Sequence, residues 1–206
     1  MSALGVKALN KVFYGTVPDY GTLGGVLAIV DGSTGAVKIH RDVVEDQSIV
    51  SLAYADGMVI GGTSVSGGLG INPKAKEGKL FGWNPKTAHK VFELSPVPGA
   101  KLVSGLVVSP DGKLFGVADG VLFVFDPAHQ KIIARKKLFP VDPQYRHAGW
   151  RDAMTALHPD GSIYATQSGR LFRIDPKSLD IKVLRQKDAQ LMAIDRDGRV
   201  YFRDVT

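Results

Sequence analysis

Short apolar stretches separated by turn-forming residues recur along the whole chain. Four of them share the pattern Gly-x-Leu-x-x-x-[Asp/Asn]-[Pro/Gly], and these four begin at Gly25, Gly78, Gly120 and Gly169. A second landmark, an Asp-Gly pair between two apolar stretches, recurs at Asp56, Asp111, Asp160 and Asp197. Short apolar runs bounded by Gly, Pro and Asp are typical of β-strands, and Asp-Gly between them indicates a tight hairpin. The pattern therefore predicts an all-β chain.

The two landmarks alternate in a fixed order, which divides the chain into repeats of four antiparallel strands. In the third repeat, the predicted strands are 104–109, 113–117, 121–126 and 131–138. The first strand of each repeat is small and apolar, whereas the fourth is more charged, as in 131–137. A small apolar strand suits a crowded centre, and charge on an outermost strand blocks edge-to-edge pairing.

The spacing of the repeats indicates the architecture. The Gly-x-Leu copies begin 53, 42 and 49 residues apart, and periods of this length are typical of β-propellers. A β-sandwich also has strands at regular spacing, but it has no reason to repeat two turn motifs in the same order. We therefore predict one propeller domain over 1–206, with blades at about 1–41, 48–95, 102–139 and 152–186 and a half blade at 190–206.

The predicted strands at the two ends do not form a simple closed ring. Segment 11–16 aligns with the second strand of a blade, and 3–9 would supply the first strand, while the half blade has a first and a second strand only. Propellers remove open edges by combining strands from both ends into one blade. The chain is therefore expected to be a segment of a larger propeller, an irregularly closed ring, or one of two chains that pair across their open blades. A missing propeller part or a second copy is accordingly an expected partner.

The longest connections fall between second and third strands or between consecutive blades. They cover 17–24, 41–48, 64–77 and 139–152, and in antiparallel blades these connections lie on the same rim. Long loops gathered on one side of a rigid scaffold are where binding and catalysis concentrate. We therefore expect the functional site on this rim.

The loop 139–152 carries the densest group of polar and aromatic side chains. Its candidates for catalysis are Tyr145, His147 and Arg151, as base, acid and carboxylate-binding group, and its candidates for binding are Arg146, Trp150 and Asp152. Aromatic rings offer flat surfaces to a sugar, arginine holds carboxylates and histidine transfers protons. The alternative is structural: Trp150 caps the core, and Arg151 and Asp152 form an ion pair that braces the loop.

The other long loops add the binding candidates Tyr20, Asp46, Gln47 and Lys74. Asp46 and Gln47 lead into an inner strand, where they would either face the central channel or cap a turn. Lys74 would attract an anionic ligand. The glycine-rich segment 61–70 is followed by a strand, so it lacks the helix N-terminus that a phosphate-binding loop requires.

Composition narrows the chemistry further. The 206 residues include 26 Lys or Arg and 20 Asp or Glu, and because these charges are interspersed no nucleic-acid partner is predicted. The absence of cysteine excludes disulfides and thiol catalysis, and the scattered histidines indicate no metal site or other cofactor. No apolar run is long enough to span a membrane, and the first residues do not encode a signal peptide. We expect a soluble protein, cytoplasmic as given and exported if the chain belongs to a longer one.

The blade motifs in 108–114 and 122–127 resemble those of bacterial propellers of the YVTN, NHL and pyrroloquinoline-quinone-like types. The resemblance extends over almost the whole chain and implies architecture, but it assigns no catalytic residue. The first hypothesis is a non-catalytic module, part of a larger protein, that binds a carbohydrate, another small polar ligand or a protein through the long loops. The alternative is a carbohydrate-active enzyme, a polysaccharide lyase or glycoside hydrolase, with its site on the same rim.

Overall fold

The computed structural model describes residues 2–147 and 149–205, and its strands form four four-stranded antiparallel sheets and one two-stranded sheet. Blade 1 consists of β1 (Ser2–Val6), β2 (Lys11–Gly15), β3 (Val26–Asp31) and β4 (Val37–Arg41). Blade 2 consists of β5 (Ser48–Ala55), β6 (Met58–Ser64), β7 (Leu80–Asn84) and β8 (His89–Leu94). Blade 3 consists of β9 (Val103–Val108), β10 (Leu114–Ala118), β11 (Val121–Asp126) and β12 (Lys131–Lys137). Blade 4 consists of β13 (Met154–Leu157), β14 (Ile163–Gln167), β15 (Arg170–Ile174) and β16 (Ile181–Arg185), and the half blade consists of β17 (Ala189–Ile194) and β18 (Val200–Asp204).

The first strand of each blade lies at the centre of the arc. β1 contacts β5, β5 contacts β9, β9 contacts β13, and β13 contacts β17. The fourth strands β4, β8, β12 and β16 are exposed or half-buried along their lengths. This radial order defines an arc of a β-propeller, so the predicted all-β fold of about four and a half blades is confirmed.

The strands of blade 3 agree with their predicted bounds to within one residue at each end. Blade 1 differs, because its inner strand ends at Val6 and Lys7–Leu9 form a 3₁₀ turn instead of continuing to residue 9. This turn has no Asp-Gly pair, and Asn10 takes up the left-handed conformation (φ 49°) that asparagine tolerates. A second 3₁₀ turn covers Pro143–Tyr145. Among the described residues, no helix is long and apolar enough to cross a membrane.

The Asp or Asn of the Gly-x-Leu motif caps the turn between the third and fourth strands. Asp31 Oδ1 accepts hydrogen bonds from the backbone N–H groups of Ser33 and Thr34 at 3.0 and 3.1 Å. The hydroxyl of Ser33 and these N–H groups lower the pKa of Asp31 to about 2. Equivalent backbone bonds are accepted by Asn84, Asp126 and Asp175. The motif therefore recurs because each blade needs the same capped turn.

The glycine of the motif holds each blade against the segment that enters the next one. Gly25 donates its N–H to the carbonyl of Gln47 at 2.8 Å, and Gly78 donates to the carbonyl of Ala100 at the same distance. A Cβ at Gly25 would collide with the carbonyl oxygen of Thr16. The position requires glycine because backbone passes directly over it.

Aromatic and aliphatic side chains fill the seams between blades. Phe13 of blade 1 packs in one cluster with Phe81 of blade 2. Phe123 and Phe125 lie in the seam between blades 2 and 3, and Phe172 lies in the seam between blades 3 and 4. All five rings are fully buried. These dry seams fix the blades relative to one another and hold the long loops on a rigid support.

The long loops contact one another on a single rim. The loop that follows β2 bonds to the loop that follows β6 through Gly21 N–H to Leu69 O and Gly68 N–H to Thr22 O, at 2.8 and 2.9 Å. The loop 138–153 in turn docks on the loop after β6 through Trp150. Three insertions that are far apart in sequence therefore form one surface.

Candidate functional site

Two adjoining cavities open among these loops. The central cavity, of about 620 Å³, is lined by the inner strands β1, β5, β9 and β13. The second, of about 340 Å³, lies between the loop 138–153, the β14–β15 turn and the half blade; we call it the blade-4 cavity. His147 and Arg151 line both cavities. The charged and polar side chains that line the blade-4 cavity include Arg146, His147, Arg151, Asp152, Gln167 and Arg203.

The loop 138–153 is anchored to the loop after β6 through two neighbouring residues of the predicted aromatic and polar cluster. Trp150 donates its Nε1–H to the carbonyl of Gly67 at 2.9 Å, and Ser64 Oγ donates to the carbonyl of Gly149 at 2.5 Å. The glycine-rich segment 61–70 thus serves as the docking surface for this loop. Ala148 belongs to the cluster but lies outside the described residues.

Tyr145 is held against the β14–β15 turn. Its ring lies where a Cβ of Gly169 would be, and its hydroxyl donates to Asp188 Oδ1 at 3.0 Å. Partial burial and the hydrogen bond to Asp188 raise the pKa of Tyr145. The phenol is therefore protonated at neutral pH and lies at the wall of the blade-4 cavity.

Asp152 and Gln167 place buried acceptors without partners at this cavity. Asp152 is only 8% exposed, and its Oδ2 accepts a long hydrogen bond from Gln167 Nε2 at 3.4 Å. Gln167 is 1% exposed. Among residues 2–147 and 149–205, neither Asp152 Oδ1 nor Gln167 Oε1 has a hydrogen-bond partner. Burial raises the pKa of Asp152, Asp119 adds to the effect, and Arg146 opposes it. Buried polar atoms are normally paired, so two such acceptors at one cavity indicate an incomplete hydrogen-bonding network.

Arg146 links the loop to the β10–β11 turn. Its Nη2 donates to Asp119 Oδ1 at 2.6 Å, and Asp119 Oδ2 accepts from the N–H of Lys101, also at 2.6 Å. Arg146 Nε is buried without a partner. Arg151 and His147 are exposed at the mouth, as is Arg203 on β18. The blade-4 cavity is therefore lined by three guanidinium groups.

The predicted ion pair between Arg151 and Asp152 is not formed. Among the described residues, the ion pairs of this loop include Arg146 with Asp119 but none between Arg151 and Asp152. Arg151 remains exposed while Asp152 is buried, so the two neighbours face different environments. Arg146 is instead the cation that acts on Asp152.

The remaining predicted binding residues lie away from the blade-4 cavity. Tyr20 is exposed and its ring packs against Gly70. Asp46 pairs with Lys74, with 3.5 Å between Nζ and Oδ2. Gln47 is buried and bonded: its Oε1 accepts from Thr63 Oγ1 at 2.5 Å, and its Nε2 donates to the carbonyl of Glu77 at 3.0 Å. Lys74 lines a separate groove beside Lys76, Lys101 and Arg146.

Three residues of the site, Asp119, Gln167 and Arg203, are not predicted from the sequence. Asp119 belongs to the Asp-Gly pair of the β10–β11 hairpin, so its sequence context indicates a turn and no ligand contact. Gln167 follows the apolar part of β14 in the polar run Thr166-Gln167-Ser168, and this run was the available signal. Arg203 stands on β18, and only the contact between β17 and blade 4 brings it to the cavity.

Replacing Asp152 with asparagine should stabilise the protein at neutral pH. The raised pKa means that the folded state binds a proton more tightly than the unfolded chain, so the stability of the wild type falls as pH rises from about 3.8, the ordinary aspartate value, through the raised pKa. Asp152→Asn removes this loss. At pH values above the raised pKa, we therefore expect the free energy of unfolding to increase by about 1 kcal/mol, which is in the range for an unpaired buried acceptor. Urea unfolding over a pH series measures the difference.

Asp160→Asn is the control for this pH series. The N–H of Ser162 lowers the pKa of Asp160, so its contribution to stability is present above the ordinary value and is lost on acidification. The two variants should therefore differ from the wild type with opposite pH dependence. Parallel pH curves for Asp152→Asn and the wild type would contradict the role assigned to Asp152.

Comparison with known proteins supports the fold and goes no further. No protein-family model and no curated protein sequence matches the chain. Among solved structures, virginiamycin B lyase from Staphylococcus aureus matches with a TM-score of 0.70 and 14% identity, over 99% of this chain and 62% of that chain. A 6-phosphogluconolactonase-like protein from Bacteroides uniformis matches with a TM-score of 0.63 and 12% identity, over 98% of this chain and 63% of that one.

A third match is the extracellular domain of a one-component system from B. thetaiotaomicron, with a TM-score of 0.66 and 12% identity, over 98% of this chain and 26% of that one. The chain therefore spans less than two thirds of each of these propeller-like proteins. A lyase, a lactonase-like protein and an extracellular domain thus share this fold, which leaves the activity open. Within residues 2–147 and 149–205, no group of three His, Asp or Glu side chains is arranged to hold a metal ion.

Proposed function

We propose that the chain is a ligand-binding propeller module and that the blade-4 cavity binds a small acidic carbohydrate. The observation that carries the proposal is the pairing of two buried, unpartnered acceptors, Asp152 Oδ1 and Gln167 Oε1, with three arginines around one cavity. Hydroxyl groups of a sugar are the donors that such acceptors require.

The charged rim accounts for the acidic group of the ligand. Arg151 and Arg203 are exposed at the mouth, whereas Arg146 is engaged with Asp119. A guanidinium group binds a carboxylate through two parallel hydrogen bonds, so the two free arginines favour a uronate over a neutral sugar. His147 adds an aromatic ring to this cavity, and its ring lies edge-on to and 6.1 Å from that of Trp150, which lines the adjoining central cavity.

Titration calorimetry with short glucuronate and galacturonate oligomers tests the proposal, with neutral glucose oligomers as the ligand control. We expect Arg151→Gln and Arg203→Gln each to weaken binding of the acidic oligomers about tenfold, the effect of losing one hydrogen bond to a charged group. Arg196→Gln is the matched control, because Arg196 is exposed on the Asp-Gly turn at the opposite rim. Equal losses in all three variants, or equal affinity for neutral oligomers, would contradict the proposed site.

A carbohydrate-active enzyme is the second candidate, favoured by the position of Tyr145, His147 and Arg151 on one cavity. In a lyase, a base removes a proton next to the carboxylate and an acid protonates the leaving oxygen. The protonated phenol of Tyr145 suits the acid and the exposed imidazole of His147 suits the base, so the two residues exchange the roles that the sequence suggested. Release of unsaturated products from a uronate polymer, lost in His147→Ala while binding persists, would favour this candidate.

A further inference from the structure

Among the described residues, β18 is the outer strand of the half blade. In blade 4, β14 is paired on both sides, with β13 and β15, whereas β18 is paired with β17 and with no second strand among the described residues. Tyr201 and Phe202 on β18 are 55% and 36% exposed. An exposed strand edge with aromatic side chains is a template for further strand pairing.

Blade 1 presents an apolar face on the side away from blade 2. Phe13 and Ile29 are buried in the seam with blade 2. Side chains alternate along a strand, so their neighbours project from the opposite face of the sheet. Strand pairing arranges these neighbours in two rows across the sheet. One row is Tyr14, Ala28 and Ile39, and the other is Val12, Val30 and Val37. Val37 and Ile39 are each 57% exposed.

The same positions are buried wherever a preceding blade is present. Ala28 and Val30 lie three and five residues after the motif glycine Gly25. Phe123 and Phe125 lie at the same distances after Gly120, so they occupy the equivalent positions of blade 3. Phe123 and Phe125 are fully buried against blade 2. In blade 4, Phe172 holds the first of these positions and is fully buried against blade 3. The exposed face of blade 1 is therefore an inter-blade seam that lacks its other half.

We propose that both surfaces bind further blades of one propeller. The first segment of this partner is an antiparallel pair of strands with alternating apolar side chains, which pairs with β18 as the third and fourth strands of a fifth blade. The last blade of the partner covers the face of blade 1. Both contacts would repeat the packing between blades that is already present within the chain. In addition, the chain spans only 62% and 63% of two propeller structures that it matches. This inference is independent of the ligand proposed for the blade-4 cavity.

A chimera tests the inference with a probe of known sequence. A copy of residues 168–186, which contain the third and fourth strands of blade 4, is joined directly after Asp204 in place of residues 205–206, so that its first two residues form the turn that they form after Gln167. Hydrogen exchange then follows the backbone amides of β18. If the copy completes the blade, we expect hydrogen exchange to slow at least tenfold for those amides of β18 that point away from β17. We also expect the melting temperature of the protein to rise. The control is the same copy with Leu171→Asp and Phe172→Asp, because both side chains are buried in blade 4.

The measurements distinguish further blades from a second copy of this chain as the partner of β18. Unchanged exchange of β18 in the chimera would overturn the proposal. Light scattering of the wild-type chain provides the second test: a dimer that protects β18 and persists in the chimera would identify a second copy as the occupant and would likewise overturn it. A wild-type chain whose β18 exchanges rapidly, together with a protected chimera, is the result expected.

Discussion

Phe123→Ala should destabilise the protein by about 3–5 kcal/mol, the usual cost of deleting a fully buried phenylalanine side chain. Phe123 is fully buried in the seam between blades 2 and 3, beside Phe125, Leu114 and Ile60. The variant loses the transfer free energy of the ring and leaves a cavity that rigid β-sheets cannot close. Urea unfolding gives the change in free energy, and Ile133→Ala on the exposed strand β12 should change it by less than about 0.5 kcal/mol.

A double-mutant cycle makes this prediction specific to the packing of the ring. A Cβ placed on Gly116 would lie 2.3 Å from Cζ of Phe123. Gly116→Ala should therefore be costly in the wild type and distinctly less costly in the Phe123→Ala background. Additive effects of the two substitutions would show that the ring does not rest on Gly116.

Arg146→Met should destabilise the loop 138–153 and thereby weaken binding of acidic ligands, because this loop carries Arg151. The side chains of Arg146 and Asp119 are 20% and 21% exposed, so the variant leaves a largely buried carboxylate without its cation. We expect a loss of about 2 kcal/mol, below the value for a fully buried pair. Because Arg146 opposes the effect of burial on Asp152, its removal should raise the pKa of Asp152 further. Urea unfolding and an NMR titration of Asp152 measure the two effects.

Asp119→Asn provides the control for Arg146→Met. In the double variant the isolated carboxylate is gone, so a large part of the lost stability should return, and binding of acidic oligomers should recover with it. If the double variant is as unstable as Arg146→Met, the loss comes from the packing of the arginine side chain and not from its charge.

The sequence predicts a site in 145–152 because this is the densest group of polar and aromatic side chains in the chain, and the structure places Tyr145, His147 and Arg151 of this group on one cavity. The roles of these residues stay predictions. The adjacent charges of Arg151 and Asp152 suggest an ion pair, but in the segment that precedes β13 Arg151 is exposed whereas Asp152 is buried. The cation that acts on Asp152 comes from Arg146, and the acceptor beside it comes from Gln167 of another strand.

Local rules were sufficient for the strands of this protein. The Asp-Gly turns and the capping Asp or Asn depend on hydrogen bonds between residues close in sequence, so each blade repeats them and the repeat reveals the fold. Burial of a side chain depends on which blade stands opposite, and that is a property of the tertiary structure alone. The same motif position is a buried ring at Phe123 and lies on the open face of blade 1 at Ala28. The unpaired acceptors of Asp152 and Gln167 were likewise decided by packing between elements, because a sequence cannot show which buried atoms are left without a partner.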